Sequence, residues 1–171
     1  IDVLTSMDNQ WSPQINLGVS VLIPETYVSD LDVRLGLYRR LSNLNKKVEF
    51  EGFAAELIDR FGKLPSEVNT LLLVVRIKSV CKKAGIGKLD GGPKGATVQF
   101  YNDKFISPEG LVEFIKNQNG TAKIKDNKLI IRRDWKKNSD KFKGAFAIAR
   151  DLAEIAASFE KNIQKKQKSN Y

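Results

Sequence analysis

The segment that follows Pro65 most constrains the fold, because its apolar side chains lie on every side of a helix. On a helical wheel they go all the way round: Val68, Leu71, Leu72, Leu73, Val74, Val75, Ile77 and Val80. Proline is favoured in the first turn of a helix, and glycine at position 85 is a typical helix end. The longest apolar run, residues 71–75, is far too short to cross a bilayer. The sequence therefore predicts a helix buried at the centre of a globular domain.

The other segments show either the helical or the strand period in their apolar residues. The patterns predict a strand over 15–23, helices over 31–44 and 50–61, a hairpin over 86–101, a short helix over 107–115, a second hairpin over 121–132 and a last helix from about residue 139. Helices and hairpins are segregated rather than alternating as βαβ units. We therefore expect a single α+β domain, in which an antiparallel sheet of hairpins packs with helices around the central buried helix.

The two ends of the chain lack these periods. Residues 1–13 mix polar and apolar side chains, and we interpret them as a linker from upstream domains. Residues 161–171 are polar and basic, which predicts a flexible tail. The domain itself is expected to cover residues 14–160.

The residue types that are missing exclude most enzymatic chemistry. The chain has no histidine and one cysteine, so it lacks the usual zinc ligand sets and every Ser-His or Cys-His nucleophile pair. We therefore expect no enzyme activity, no metal and no cofactor in this chain. The single cysteine indicates a reducing compartment. Without a secretion signal or a spanning segment, a cytoplasmic location with no membrane partner is expected.

Two further motifs are better explained by structure than by chemistry. The glycine-rich stretch 85–95 lacks the spacing of a phosphate-binding loop and of a dinucleotide-binding loop, so we interpret it as a hairpin turn. Cys81 lies on the central helix beside Lys82 and Lys83, where positive charge could activate a thiol. It has no base partner in the sequence, which favours a small buried apolar residue.

Positive charge is concentrated in the last third of the chain. The net charge is +9, and residues 123–168 contain fourteen lysines and arginines against six acids. One interpretation is a nucleic-acid surface. Its candidate residues are Arg132, Arg133, Lys136, Lys137, Lys141 and Lys143. The alternative is a solvated face with a basic tail.

A different surface is predicted on the helix over 50–61. Opposite its aromatic stripe, the helical wheel groups Gly52, Ala55, Glu56 and Asp59. Two small residues and two acids predict a flat, negatively charged face that another surface could approach closely. The alternative is an ordinary solvated face. The same acids are too few for a convincing metal or acid–base site.

Several motifs resemble the carboxy-terminal domain of bacterial transcription-repair coupling factors. They are LIPETY at 22–27, DVRLGLYRRL at 32–41, ELIDRFGKLP at 56–65 and AGIGKL at 84–89. The resemblance covers residues 15–135, and beyond Trp135 the chain matches no pattern of that family.

The resemblance implies a fragment of a large ATPase that moves on double-stranded DNA, displaces stalled RNA polymerase and recruits the repair protein UvrA. ATP and Mg²⁺ would bind in motor domains upstream of this fragment. The carboxy-terminal domain of that family acts as an autoinhibitory clamp on an amino-terminal UvrB-like module and covers its UvrA-binding surface. By the same resemblance, Glu56 and Asp59 would face basic residues of that module.

Overall fold

The structure is a computed structural model, and it describes residues 11–170. Its elements, in chain order, are β1 (Gln14–Asn16), α1 (Leu31–Leu41), α2 (Lys47–Phe61), α3 (Ser66–Ala84), β2 (Ile86–Gly92), β3 (Gly95–Phe100), a short 3-10 turn (Tyr101–Asp103), α4 (Pro108–Lys116), β4 (Ala122–Lys125), β5 (Lys128–Arg132) and α5 (Asn138–Ser169). The predicted α+β class is confirmed. Within it the chain forms two compact units, Gly18–Ser79 and the remainder, and α3 contributes residues to both.

The helical unit, Gly18–Ser79, has its own apolar core. The buried side chains of this core are Ile23, Val28, Leu37, Leu41, Phe53, Leu57, Val68 and Leu71. Asp30 caps α1 by accepting a hydrogen bond from the Val33 amide at 2.9 Å. Glu49 accepts from the Lys46 amide at 2.8 Å at the start of α2. Both helices contribute buried side chains to this core, Leu37 and Leu41 from α1 and Phe53 and Leu57 from α2.

The strand predicted over 15–23 is only three residues long. Its alternation is present, since Leu17 and Ile23 are buried while the even-numbered residues between them are exposed. Gly18, however, has a φ of 71°, in the left-handed region, and ends the extended pairing after β1. An alternating pattern reports which side chains face inward, but a strand also needs a neighbour that supplies hydrogen bonds. The prediction was therefore correct for burial, correct for the sheet at residues 15 and 16, and wrong for the sheet beyond Asn16.

The second unit is built on a five-stranded sheet of order β1-β2-β3-β5-β4. The two predicted hairpins form its antiparallel part, and β1 adds a parallel edge beside β2. The hairpin between β4 and β5 turns at Asp126 and Asn127, whose φ values of 53° and 60° suit a two-residue turn. One face of the sheet carries the buried residues Leu89, Val98 and Ile131. The helix α5 buries Ala145, Ala149 and Leu152 among other side chains in this unit.

The predicted central helix is α3, and it carries buried residues along its length. Val68, Leu71, Ile77 and Cys81 are buried, whereas residues 72–75 are half-buried. Burial raises the pKa of the Cys81 thiol to about 12, so it stays a protonated thiol at neutral pH. The interpretation of Cys81 as a buried apolar residue agrees with this environment.

The predicted ends of the domain differ from the structure. Trp11, assigned to the linker, stacks on Tyr101 with ring centroids 4.4 Å apart, and Lys82 donates to its carbonyl oxygen. The packed chain thus begins by residue 11, while residues 1–10 of the predicted linker lie outside the described residues. At the other end, α5 continues to Ser169 with exposed side chains. Its last turns are rich in lysine and glutamine, which are good helix formers, so the helix extends beyond the predicted boundary at residue 160.

No helix among residues 11–170 combines the length and the apolar character that crossing a membrane requires. The expected cellular location stays a prediction. No group of three or more metal-ligating side chains occurs in this part of the chain.

Candidate protein interface

The helix α2 presents the predicted interface residues away from its buried face. Phe53 and Leu57 are 3% and 1% exposed. Gly52, Ala55 and Asp59 are exposed on the other side, and Glu56 is half-buried. The structure therefore brings the four predicted residues together on one accessible surface, which we call the α2 face.

Two arginines hold the Glu56 carboxylate in place. Arg40 of α1 donates hydrogen bonds from its two terminal guanidinium nitrogens to the two carboxylate oxygens, at 2.6 and 2.7 Å. Arg60, one turn further along α2, donates to Oε2 at 3.0 Å. Bidentate, charge-assisted pairs of this kind are among the strongest side-chain hydrogen bonds. The predicted negative face is therefore wrong in its charge, because two cations offset the Glu56 carboxylate.

Each of the two arginines also lies over an aromatic ring. The Arg40 guanidinium carbon lies 5.1 Å from the centroid of Phe53, and that of Arg60 lies 4.9 Å from Phe61. Contacts at this distance between a cation and a ring face are attractive. Tyr27 donates to the Gly62 carbonyl at 2.7 Å and packs beside Phe61. The arginines are thus fixed in position on the surface by both charge and stacking.

Asp59 and Gly52 complete the α2 face without an internal role. Within the described residues, the Asp59 carboxylate forms no ion pair. A Cβ atom added to Gly52 would meet no atom within 4 Å, and its backbone is ordinary helix. Glycine inside a helix costs about 0.5–1 kcal/mol relative to alanine. Packing within the helical unit does not explain that cost.

Sequence reasoning missed the roles of Arg40 and Arg60. Arg60 follows Glu56 by four residues, a spacing that brings side chains together on a helix, so a signal for it was available. Arg40 comes from another helix, sixteen residues earlier, and no local pattern connects it to Glu56. Gly36 lies one turn before Arg40 and likewise has no atom within 4 Å of an added Cβ.

The predicted nucleic-acid residues differ in accessibility. Arg133 donates to Thr121 Oγ1 at 2.9 Å and also to Gln118, and Lys141 is 7% exposed. Both side chains are committed to the fold. Four others remain exposed: Arg132, Lys136, Lys137 and Lys143. The candidate set predicted from sequence thus mixes structural and accessible cations.

The ion pairs of Glu56 with Arg40 and Arg60 make the stability of the domain depend on pH in the acid range. Hydrogen bonds from Arg40 and then from Arg60 lower the Glu56 pKa from its ordinary value of 4.5 to about 2. A lowered pKa in the folded state contributes stability above pH 4.5, which is lost as the pH falls towards 2. The difference in unfolding free energy between wild type and Glu56→Gln should be constant above about pH 5 and close on acidification. Urea unfolding at several pH values measures it.

The control for this prediction removes the two arginines. In an Arg40→Gln, Arg60→Gln background, Glu56→Gln should no longer produce a difference that closes between pH 4.5 and about 2. If the unfolding free-energy difference between wild type and Glu56→Gln did not change with pH, the two arginines would not hold the Glu56 carboxylate in solution.

The sequence model of the TRCF domain matches residues 17–111, more than half of the chain. The chain belongs to the TRCF domain family. The resemblance seen in the sequence motifs is thereby confirmed. The expectation that this fragment has no enzyme activity stays a prediction.

The curated proteins that this chain resembles are transcription-repair-coupling factors. The Rickettsia bellii protein is 47% identical over 126 residues, which are 73% of this chain and 11% of that protein. The Escherichia coli protein is 33% identical over 105 residues, 61% of this chain and 9% of that protein. The chain therefore spans about a tenth of the length of these relatives.

A solved structure has the same fold. The crystal structure of the C-terminal domain of transcription-repair coupling factor superposes with a TM-score of 0.72 at 23% identity, covering 86% of this chain and 96% of the other. The shared fold therefore includes most of both compact units.

Proposed function

We propose that the chain is the regulatory carboxy-terminal domain of a longer transcription-repair coupling factor. Its family, and the tenth of each relative that it spans, support this proposal. The rest of the protein would carry the motor, with ATP and Mg²⁺, and would act on double-stranded DNA and stalled RNA polymerase. Its contribution to repair would be the recruitment of UvrA.

Within that protein, the α2 face is proposed to dock on the amino-terminal UvrB-like module and cover the surface that UvrA binds. The observation that carries this proposal is Gly52, a helix-interior glycine with open space around it on an otherwise well-packed helix. Residues that break a local stability rule without a gain in packing are expected at functional surfaces. A glycine at this position lets another backbone approach α2 closely.

The two acids of the α2 face would have different roles in the contact. Asp59 is free to accept hydrogen bonds from basic residues of the module. A carboxylate has about four acceptor positions, and Glu56 uses three of them on its arginines. Glu56 therefore acts mainly by holding Arg40 and Arg60 in place, and offers one remaining position to a partner.

Binding of this chain to the UvrB-like module of the same protein tests the proposal. Gly52→Gln should weaken binding at least tenfold, because its side chain projects into the proposed contact while meeting nothing inside the domain. Gly52→Ala is the matched control. It should stabilise the helix by about 0.5–1 kcal/mol and bind much better than Gly52→Gln.

Isothermal titration calorimetry of the three proteins gives the affinities, and urea unfolding gives their stabilities. Equal affinities of wild type and Gly52→Gln would remove the α2 face from the contact. No binding of the wild-type chain at all would contradict the clamp itself.

A further inference from the structure

One face of the sheet in the second unit carries half-buried and exposed side chains. Along β3 and β5, buried residues alternate with residues that are half-buried or exposed. The outward set, read across the strand pairs, is Gln14, Asn16, Lys88, Asp90, Thr97, Gln99, Lys123, Lys125, Lys128, Ile130 and Arg132. None of these side chains is buried. The sheet therefore presents an open polar surface, which we call the outer sheet face.

Four cations cluster at one end of the outer sheet face. Lys123 pairs across the hairpin with Ile130, and Lys125 pairs with Lys128. Arg132 follows Ile130 by two residues, so it shares that face about 6.6 Å further along the strand. All four cations are exposed. They surround Ile130 on the two neighbouring strands β4 and β5.

A shallow cavity marks the same place. It has a volume of about 210 Å³, and its lining includes Thr121, Lys123, Ile130 and Arg132. Two cations thus flank a depression, while the Thr121 hydroxyl at its edge already donates to the Gln118 carbonyl at 2.6 Å. This arrangement suits a phosphate group, which binds to cationic side chains.

Ion pairs within the domain do not account for the cluster. Like charges directly opposite each other on a sheet are destabilising, and Lys125 faces Lys128. Within the described residues no carboxylate lies within ion-pair distance of the four cations, and Asp90 pairs with Lys88 instead, at 3.8 Å. The turn residue Asp126 is the nearest acid in sequence. Positive charge that strains the hairpin and lacks partners is available to an anion.

We propose that the outer sheet face binds the phosphate backbone of double-stranded DNA. A duplex carries one negative charge per about 1.7 Å of its axis, twice the density of a single strand, and so best matches four cations within two strands. The outer sheet face has no aromatic side chain on which unpaired bases could stack. Its other members, such as Thr97 and Gln99, can donate to phosphate and sugar oxygens. Binding is therefore independent of sequence.

This proposal does not rest on the clamp. The outer sheet face uses residues of the second compact unit, whereas the α2 face lies in Gly18–Ser79. It also differs from the surface expected from sequence, because only Arg132 belongs to both sets. The lysines of β4 and β5 are absent from that set because they share a face only through the pairing of the two strands.

Fluorescence anisotropy with a labelled 20-base-pair DNA tests the proposal on the 171-residue chain. The test variant replaces Lys123, Lys125, Lys128 and Arg132 with glutamine. The matched control replaces four exposed cations of the last turns of α5 with glutamine: Lys161, Lys165, Lys166 and Lys168. Both variants have the same net charge, so any difference between them reports position rather than total charge.

Four phosphate contacts give a slope of about −3.6 in a plot of log affinity against log salt, or roughly a 150-fold loss between 50 and 200 mM salt. The test variant should lose this slope and bind at least tenfold more weakly at 100 mM salt, while the control variant keeps most of both. A Lys123→Gln, Lys128→Gln protein should lose about half of the slope, and circular dichroism confirms folding. A duplex of different sequence should bind equally well.

Other outcomes would overturn the proposal. Absence of DNA binding by the wild-type chain at 50 mM salt is one of them. Equal loss in the test and control variants would indicate a general effect of charge. Tighter binding of poly-L-glutamate than of DNA at equal charge concentration would assign the outer sheet face to an acidic protein.

Discussion

Reversing the charge of Asp59 in the full-length protein should raise its affinity for UvrA by tens to thousands of fold without RNA polymerase present. Removing one partner of a hydrogen-bonded charge pair in a desolvated contact costs about 2–5 kcal/mol. A loss of that size shifts the equilibrium between the closed and open forms of the protein by tens to thousands of fold. Asp59 is exposed and forms no ion pair within residues 11–170, so Asp59→Lys should cost the domain itself only about 0.5 kcal/mol.

The control for Asp59→Lys is Glu67→Lys, the same charge change at an exposed position in the first turn of α3. It should leave UvrA affinity within about twofold of wild type, because small effects are typical of surface substitutions away from an interface. Surface plasmon resonance on immobilised UvrA compares the three proteins. If Asp59→Lys and Glu67→Lys bind UvrA alike, Asp59 does not form the clamp contact.

Glu56 needs a different substitution from Asp59. In the structure, the Glu56 carboxylate lies 2.6 Å from Arg40 and 3.0 Å from Arg60. Glu56→Lys would replace these two attractive pairs with a third cation beside the two arginines. Its effect on UvrA binding would then be mixed with damage to the domain. Asp59 alone separates docking from folding.

The sequence predicted most helices and both hairpins because their signals are local. Ser107 caps α4 by accepting from the Gly110 amide, and Asp126 with Asn127 forms the turn between β4 and β5. The parallel pairing of β1 with β2 joins segments more than seventy residues apart, and no local pattern encodes it. The same limit applies to the site, where α2 could be projected from its own sequence but the contact from Arg40 depends on tertiary packing.

Adjacent residues on α2 give the sharpest test of its orientation. Leu57 and Ile58 are neighbouring apolar residues, yet Leu57 is 1% exposed and Ile58 is 49% exposed. Leu57 belongs to the core of the helical unit, together with Leu37 and Phe53. Truncating it removes buried methyl groups and leaves a cavity, which costs about 2–5 kcal/mol. Leu57→Ala should therefore lower the unfolding free energy by that amount, the largest stability effect expected here.

Ile58→Ala is its matched control, because the same number of carbon atoms is removed one residue further along the same helix. Since half of the Ile58 side chain already contacts water, its truncation should cost less than about 1 kcal/mol. Urea unfolding followed by circular dichroism measures both variants against wild type. Equal losses for the two substitutions would mean that α2 is rotated from the orientation described, and the α2 face would then have to be assigned to other residues.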